Sequence, residues 1–139
     1  MKLLHKLRRD GRGAALIETA FALPVLIIMV WAVVQLGLVF RAMSGIQHAL
    51  GEGARLATIY PAPTTDAIKD RIDEVVYGIG PGSFGEPSLV AGEEDGTPYI
   101  DMTVTYTQET DLLLIPGPTI TVSRSKRVWV SESEEGEEE

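Results

Sequence analysis

The chain has 139 residues, no cysteine and a formal charge of −8. That length allows one small domain, and the missing cysteine excludes a disulfide framework, a thiolate nucleophile and a cysteine-based zinc site. The charge is unevenly placed: Lys2, Lys6, Arg8, Arg9 and Arg12 against Asp10 give residues 1–13 a charge of +4, leaving −12 from Ala14 onward, so an acidic body excludes nucleic acid as a partner.

After the basic segment 1–13, Thr19 to Phe40 is a run of 22 residues without a charge. At 1.5 Å per residue it reaches roughly 33 Å, enough to cross a hydrocarbon core of about 30 Å. A transmembrane helix over 14–40 is therefore expected. The basic flank places the N-terminus in the cytoplasm and the acidic remainder across the membrane. An ordinary secretory signal fits less well. The apolar run exceeds the usual h-region, and the small-residue site Ala42-Met43-Ser44 lies beyond Arg41 in a segment that continues as helix. Two residues in the span are unusual. Glu18 brings a carboxylate into it, at a cost on the order of 2.5–3.5 kcal/mol at a helix centre. Pro24 removes a backbone donor and is expected to kink the helix.

Beyond Arg41 the pattern becomes amphipathic. Ala42, Ile46, Ala49, Gly53, Leu56 and Tyr60 fall on one helical face, so residues 41–60 read as a continuation of the same helix, ending near Thr58 before Pro61-Ala62-Pro63. A small extracytoplasmic domain is expected over 61–130. It opens with a helix over Asp66–Tyr77, with Ile68, Ile72, Val75 and Val76 on its apolar face and Thr64 or Thr65 as cap. Residues 79–97 are turn-rich and acidic, with one short strand at Ser88–Ala91. Tyr99–Gln108 alternates Ile100, Met102, Val104 and Tyr106 with Asp101, Thr103, Thr105 and Thr107, as a half-buried strand does. An apolar knuckle, Leu112-Leu113-Leu114-Ile115, separates it from a strand over Thr119–Val130, its antiparallel neighbour. In that second strand Arg124 and Lys126 share the parity of Ile120, Val122, Val128 and Val130, so its middle must meet solvent, an edge or a partner. Residues 131–139 hold six Glu and read as a disordered acidic tail. The fold class is α+β: a long N-terminal helix, one further helix and an antiparallel sheet.

The segment Arg12-Gly13-Ala14-Ala15-Leu16-Ile17-Glu18-Thr19-Ala20-Phe21-Ala22-Leu23-Pro24-Val25-Leu26 resembles the N-terminal motif of TadE-like proteins, the minor pilins or pseudopilins of tight-adherence (Flp-type) pili. Downstream, Gly53-Ala54-Arg55 resembles the signature that closes the family's helix. Thr19 departs from the related major prepilins, which carry an aromatic after the Glu. The resemblance implies a type-IV-pilin-like subunit of the inner membrane whose leader, residues 1–13, is cut by a prepilin peptidase after Gly13. Ala14 then becomes the N-terminus, and Glu18 pairs with the Ala14 amine of a neighbour. It also implies other pilin or pseudopilin subunits and the Tad inner-membrane machinery as partners, besides the lipid bilayer.

Simpler readings stand beside these. Glu18 could snorkel to the interface, Arg55 could only pair with Glu52, and the chain could be an unprocessed anchor displaying an acidic binding domain. Gly80-Pro81-Gly82-Ser83-Phe84-Gly85 matches GxGxxG without the strand and helix a dinucleotide site needs, so it reads as a loop. Glu93-Glu94-Asp95-Gly96 reads as a solvated acidic turn. His5 and His48 lack metal or triad partners. No catalytic, cofactor-binding or metal-binding residues are assigned, and a structural role rather than an enzymatic one is expected.

Overall fold

The computed structural model describes residues 11–113 and 116–130. Most of the basic leader with His5, the Leu114-Ile115 half of the knuckle and the acidic tail 131–139 lie outside the described residues. The elements are α1 (Gly11–Ala57), α2 (Thr65–Val75), β1 (Ser83–Phe84), β2 (Ser88–Glu94), β3 (Thr97–Asp111) and β4 (Pro116–Trp129). The fold is α+β, as expected.

Helix α1 has 47 residues and runs unbroken through Pro24, which at 1.5 Å per residue is about 70 Å. It joins the apolar run to the amphipathic segment without a linker. Its end is closed by the Thr58 and Ile59 N–H groups, which bond the Arg55 and Leu56 carbonyls at 3.3 and 3.0 Å. The Thr58 hydroxyl adds a 2.8 Å bond to the same Arg55 carbonyl. The carbonyls left over in a last turn are thereby used. Tyr60, expected on the apolar face, falls beyond this end and is 82 % exposed.

Helix α2 is capped by Thr64, whose hydroxyl accepts from the Ala67 N–H at 3.2 Å. It ends at Val75 rather than Tyr77, because the chain at Val76 turns extended. Ile68 and Ile72 are buried, and Val75 and Val76 pack beside them.

Strand β3 is the spine of the sheet. One edge pairs antiparallel with β4, from Tyr99↔Trp129 to Asp111↔Pro116. The other edge takes β2 along its first half and the two-residue β1 further on. Asp95 and Gly96, at φ of 52° and 76°, form the two-residue turn between β2 and β3. Two positive φ values match the twist of antiparallel strands, and Asp-Gly is the pair that tolerates them. The acidic turn is thus a hairpin turn, and β2 extends three residues past its expected end into it. Ser83-Phe84 of the Gly80–Gly85 loop forms β1, so these glycines lie along β3 rather than around a phosphate.

The core lies where α1, α2 and the inner face of β3 meet. Ala42, Ile46, Ala49, Leu50, Ala54 and Ala57 face Ile68 and Ile72 and, from the sheet, Met102, Val104 and Tyr106. The buried stripe on α1 is wider than the expected line of residues, because the sheet and α2 press on it from two sides.

Candidate functional site

The first part of α1 is bare. From Gly13 to Ile27 every residue is exposed, and Phe21 and Val33 stand at 75 % and 68 % accessibility. Among the described residues α1 is long and apolar enough to cross a membrane, and only 11 % of its apolar window is buried. The central helix of a soluble domain would be mostly buried there. A bare apolar surface of this size needs lipid or other protein against it.

Glu18 is the one charged residue from Gly13 to Phe40. It is exposed, and no cationic side chain among the described residues pairs with it. Ala14 lies one helical turn before it, also exposed, and the space around Gly13 is open. The Thr19 hydroxyl donates to the Ala15 carbonyl at 2.9 Å, so the departure at Thr19 places no unsatisfied donor on this surface. Gly13, Ala14, Glu18 and Pro24 therefore share the bare segment, and of the four only Pro24 borders a domain residue, Leu113.

The Gly53-Ala54-Arg55 segment sits at the other end of α1, and its three residues do different things. A Cβ on Gly53 would come within 2.5 Å of Ile72, so glycine there lets α2 close on α1. Ala54 is buried in the core. The Arg55 side chain is 78 % exposed and only 3.9 Å from Glu52, whose carboxylate is taken at 3.2 Å by Arg71 of α2. The Glu52–Arg55 contact expected from spacing is thus a loose surface pair, worth at most a few tenths of a kcal/mol.

Sequence reasoning missed a polar chain that ties the domain to the apolar run. The Trp31 indole N–H donates to the Asp111 carbonyl at 2.8 Å, and the Gln35 amide donates to the same oxygen at 3.3 Å. Gln108 Nε2 donates to Gln35 Oε1 at 2.9 Å. The Tyr106 hydroxyl lies 2.8 Å from both Gln108 Oε1 and the Ile79 carbonyl, and its single proton serves one at a time. Burial pushes the Tyr106 phenol up, so it stays a donor. Extending the alternation of β3 by one step past Tyr106 would have placed Gln108 on the inner face. Because Gln108 is fully buried, Gln108→Ala strands the Gln35 carbonyl. The expected loss is about 1–3 kcal/mol, read as a lowered unfolding midpoint of the full chain in detergent.

The cations in the middle of β4 also find their place. Arg124 lies half-buried along α1 with its guanidinium 3.8 Å from Met43 Sδ, while Lys126 on the edge strand is exposed. On the outer face Arg127 donates to Asp101 at 2.8 Å and to Glu94 at 2.7 Å and covers the Tyr99 ring at 3.8 Å. The Arg127 hydrogen bonds hold the Asp101 carboxyl below the usual range. This clamp crosses three strands and is saturated by its own partners. His48 rests against Tyr77. Among the described residues, no group of three metal-ligating side chains occurs.

Comparison with known proteins agrees with the first part of the chain. The family model described as "TadE-like protein" matches residues 13–55. No curated protein and no solved structure matches the chain. The match begins at the glycine before the bare helix and stops at the arginine that follows its buried Gly-Ala pair, so residues 13–55 are similar to the TadE-like family, as their motifs suggested.

Proposed function

We propose that the protein is a minor pilin or pseudopilin of a tight-adherence pilus or related secretion system, a structural subunit rather than an enzyme. It is stored in the cytoplasmic membrane and matured by prepilin peptidase after Gly13. The TadE-like match supports the pilus-related assignment. The observation that carries the assembly role is Glu18, an exposed carboxylate on an otherwise apolar surface. Maturation would supply its partner. Cutting the Gly13–Ala14 bond creates an ammonium on Ala14, and a neighbouring subunit's amine meeting Glu18 makes a buried charge far less costly than it is alone. Other pilin subunits and the Tad inner-membrane machinery are the partners this requires.

The Gly13–Ala14 bond lies inside the described part of α1, so a helical turn must open before a protease can cut it. Gly11 and Gly13 make that turn cheap to unwind, by roughly 1 kcal/mol each relative to alanine. The test is the intact mass and N-terminal sequence of the membrane-bound chain, with and without co-expressed prepilin peptidase. The expected result is peptidase-dependent loss of residues 1–13. An uncut chain in both samples would make the protein a plain single-pass anchor displaying its acidic domain.

A further inference from the structure

The β3–β4 hairpin reaches back along α1 toward its N-terminus, past the point where the rest of the domain ends. Asp111 sits against Trp31 and Gln35, Leu112 lies beside Ala32 and Leu36, and Leu113 lies beside Pro24, Ile27 and Ile28. Leu113 is 51 % exposed although apolar. Its φ is 69°, a left-handed conformation that Gly, Asn or Asp would adopt more readily. The polar groups leading into this tip are taken up within the protein. The Asp111 carbonyl accepts from Trp31 and Gln35, the Leu113 N–H donates to the Asp111 carboxylate, and the Thr110 hydroxyl donates to the Pro118 carbonyl at 2.6 Å.

These contacts conflict with a span over 14–40. Were all of it in lipid, Trp31 would lie near mid-bilayer and would carry the exposed acids Glu109 and Asp111 in with it. We infer that the outer membrane boundary lies at Trp31 and that Leu113 is a second membrane contact, seated in the outer leaflet against α1. Trp31 is then an interfacial tryptophan, at the depth such residues favour, with its indole N–H taken by the Asp111 carbonyl. Leu113, level with Ile27 and Ile28, lies roughly 5 Å deeper along the helix, the depth of an interfacial apolar insertion. The lipid-embedded part of α1 shortens to residues 14–30, roughly 26 Å, which a slightly thinned bilayer matches, and the exposed Val33 and Phe40 beyond it are left for other protein to cover. The occupant is lipid, because the tip continues the apolar surface of the span itself. The inference holds whether or not the leader is cut.

The absence of cysteine makes the test direct. Single variants Leu113→Cys, Asp95→Cys and Val25→Cys of the full chain are placed in phosphatidylcholine–phosphatidylglycerol vesicles. Leu113→Cys should react with a water-soluble maleimide about tenfold more slowly than Asp95→Cys, as a thiol raised by one pKa unit would. A fluorophore on it should be quenched by nitroxide lipids, as one on Val25→Cys is. Labelling as fast as at Asp95→Cys overturns the inference, and so does protection without lipid quenching, which would mean a second copy covers the tip. A measurement that leaves the tip intact uses Trp31 fluorescence in a Trp129→Phe background. Stronger quenching by shallow than by deep nitroxides is expected, and the reverse order would return the boundary to Phe40.

Discussion

Glu18→Ala should reach the membrane in normal amounts and fail to enter filaments. The substitution removes the only charge from the bare part of α1, so insertion becomes easier, by on the order of 2.5–3.5 kcal/mol if the site lies at mid-bilayer. Assembly moves the other way. In a bundle of packed helices the neighbour's ammonium would lose its carboxylate, and breaking a buried pair costs about 3–5 kcal/mol, roughly a hundredfold or more in subunit association. Glu18→Gln keeps the shape and drops the charge, so it should fail nearly as badly. The measurement compares the protein in sheared surface filaments with that in membranes, after confirming that the leader is still removed. Normal incorporation of either variant would end the docking role and leave Glu18 as a snorkelling interfacial residue.

The second large effect belongs to Gly45. An added Cβ there would lie 1.8 Å from the Tyr77 carbonyl oxygen and 2.8 Å from its carbon. Both are backbone atoms, so no rotamer change relieves the clash. The loop after α2 has to move off α1, taking Val75 and Val76 from the core edge. Gly45→Ala should destabilise the domain by about 3 kcal/mol, at the upper end of overpacking costs. Gly37 supplies the control on the same helix. Nothing lies within 4 Å of its Cβ position, so Gly37→Ala should be neutral or stabilising by up to about 1 kcal/mol from helix propensity. Unfolding midpoints of the two variants in detergent decide it. Equal midpoints would mean that the 76–79 segment does not pack on α1 in solution.

How much was legible in the sequence depended on how local the information is. The long apolar helix, its amphipathic continuation, the inward parity of Met102, Val104 and Tyr106, and the pairing of β3 with β4 all follow from periodicity over a few residues, and all are present. Boundaries that depend on turn chemistry moved by two or three residues, as at Tyr77 and at the end of β2. Leu50 and Ala54 were not expected on the buried face, because a single i, i+3, i+4 line cannot show that two elements pack on one helix. The Trp31–Asp111 and Gln35–Gln108 bonds join residues more than seventy positions apart. No local pattern carries that. For the candidate site the order was reversed. Gly13 and Ala14 were visible only through the motif, Glu18 also as the lone carboxylate beside an uncharged run, and the structure adds their exposure.

The unbroken passage of α1 from bare rod to packed domain has a mechanical consequence. No loop intervenes between Gly11 and Ala57, so a force applied near the N-terminal end travels as axial load through one hydrogen-bonded column. The weakest link in that column is the carbonyl of Ala20, left without a donor by Pro24, and it lies one turn before the first domain contact, where Leu113 borders Pro24. Compliance is thereby confined to the bare end. A subunit drawn along its own axis would carry its head without a wobbling joint, and any steering would occur in the few turns between the point of traction and the shoulder where Trp31 meets the sheet.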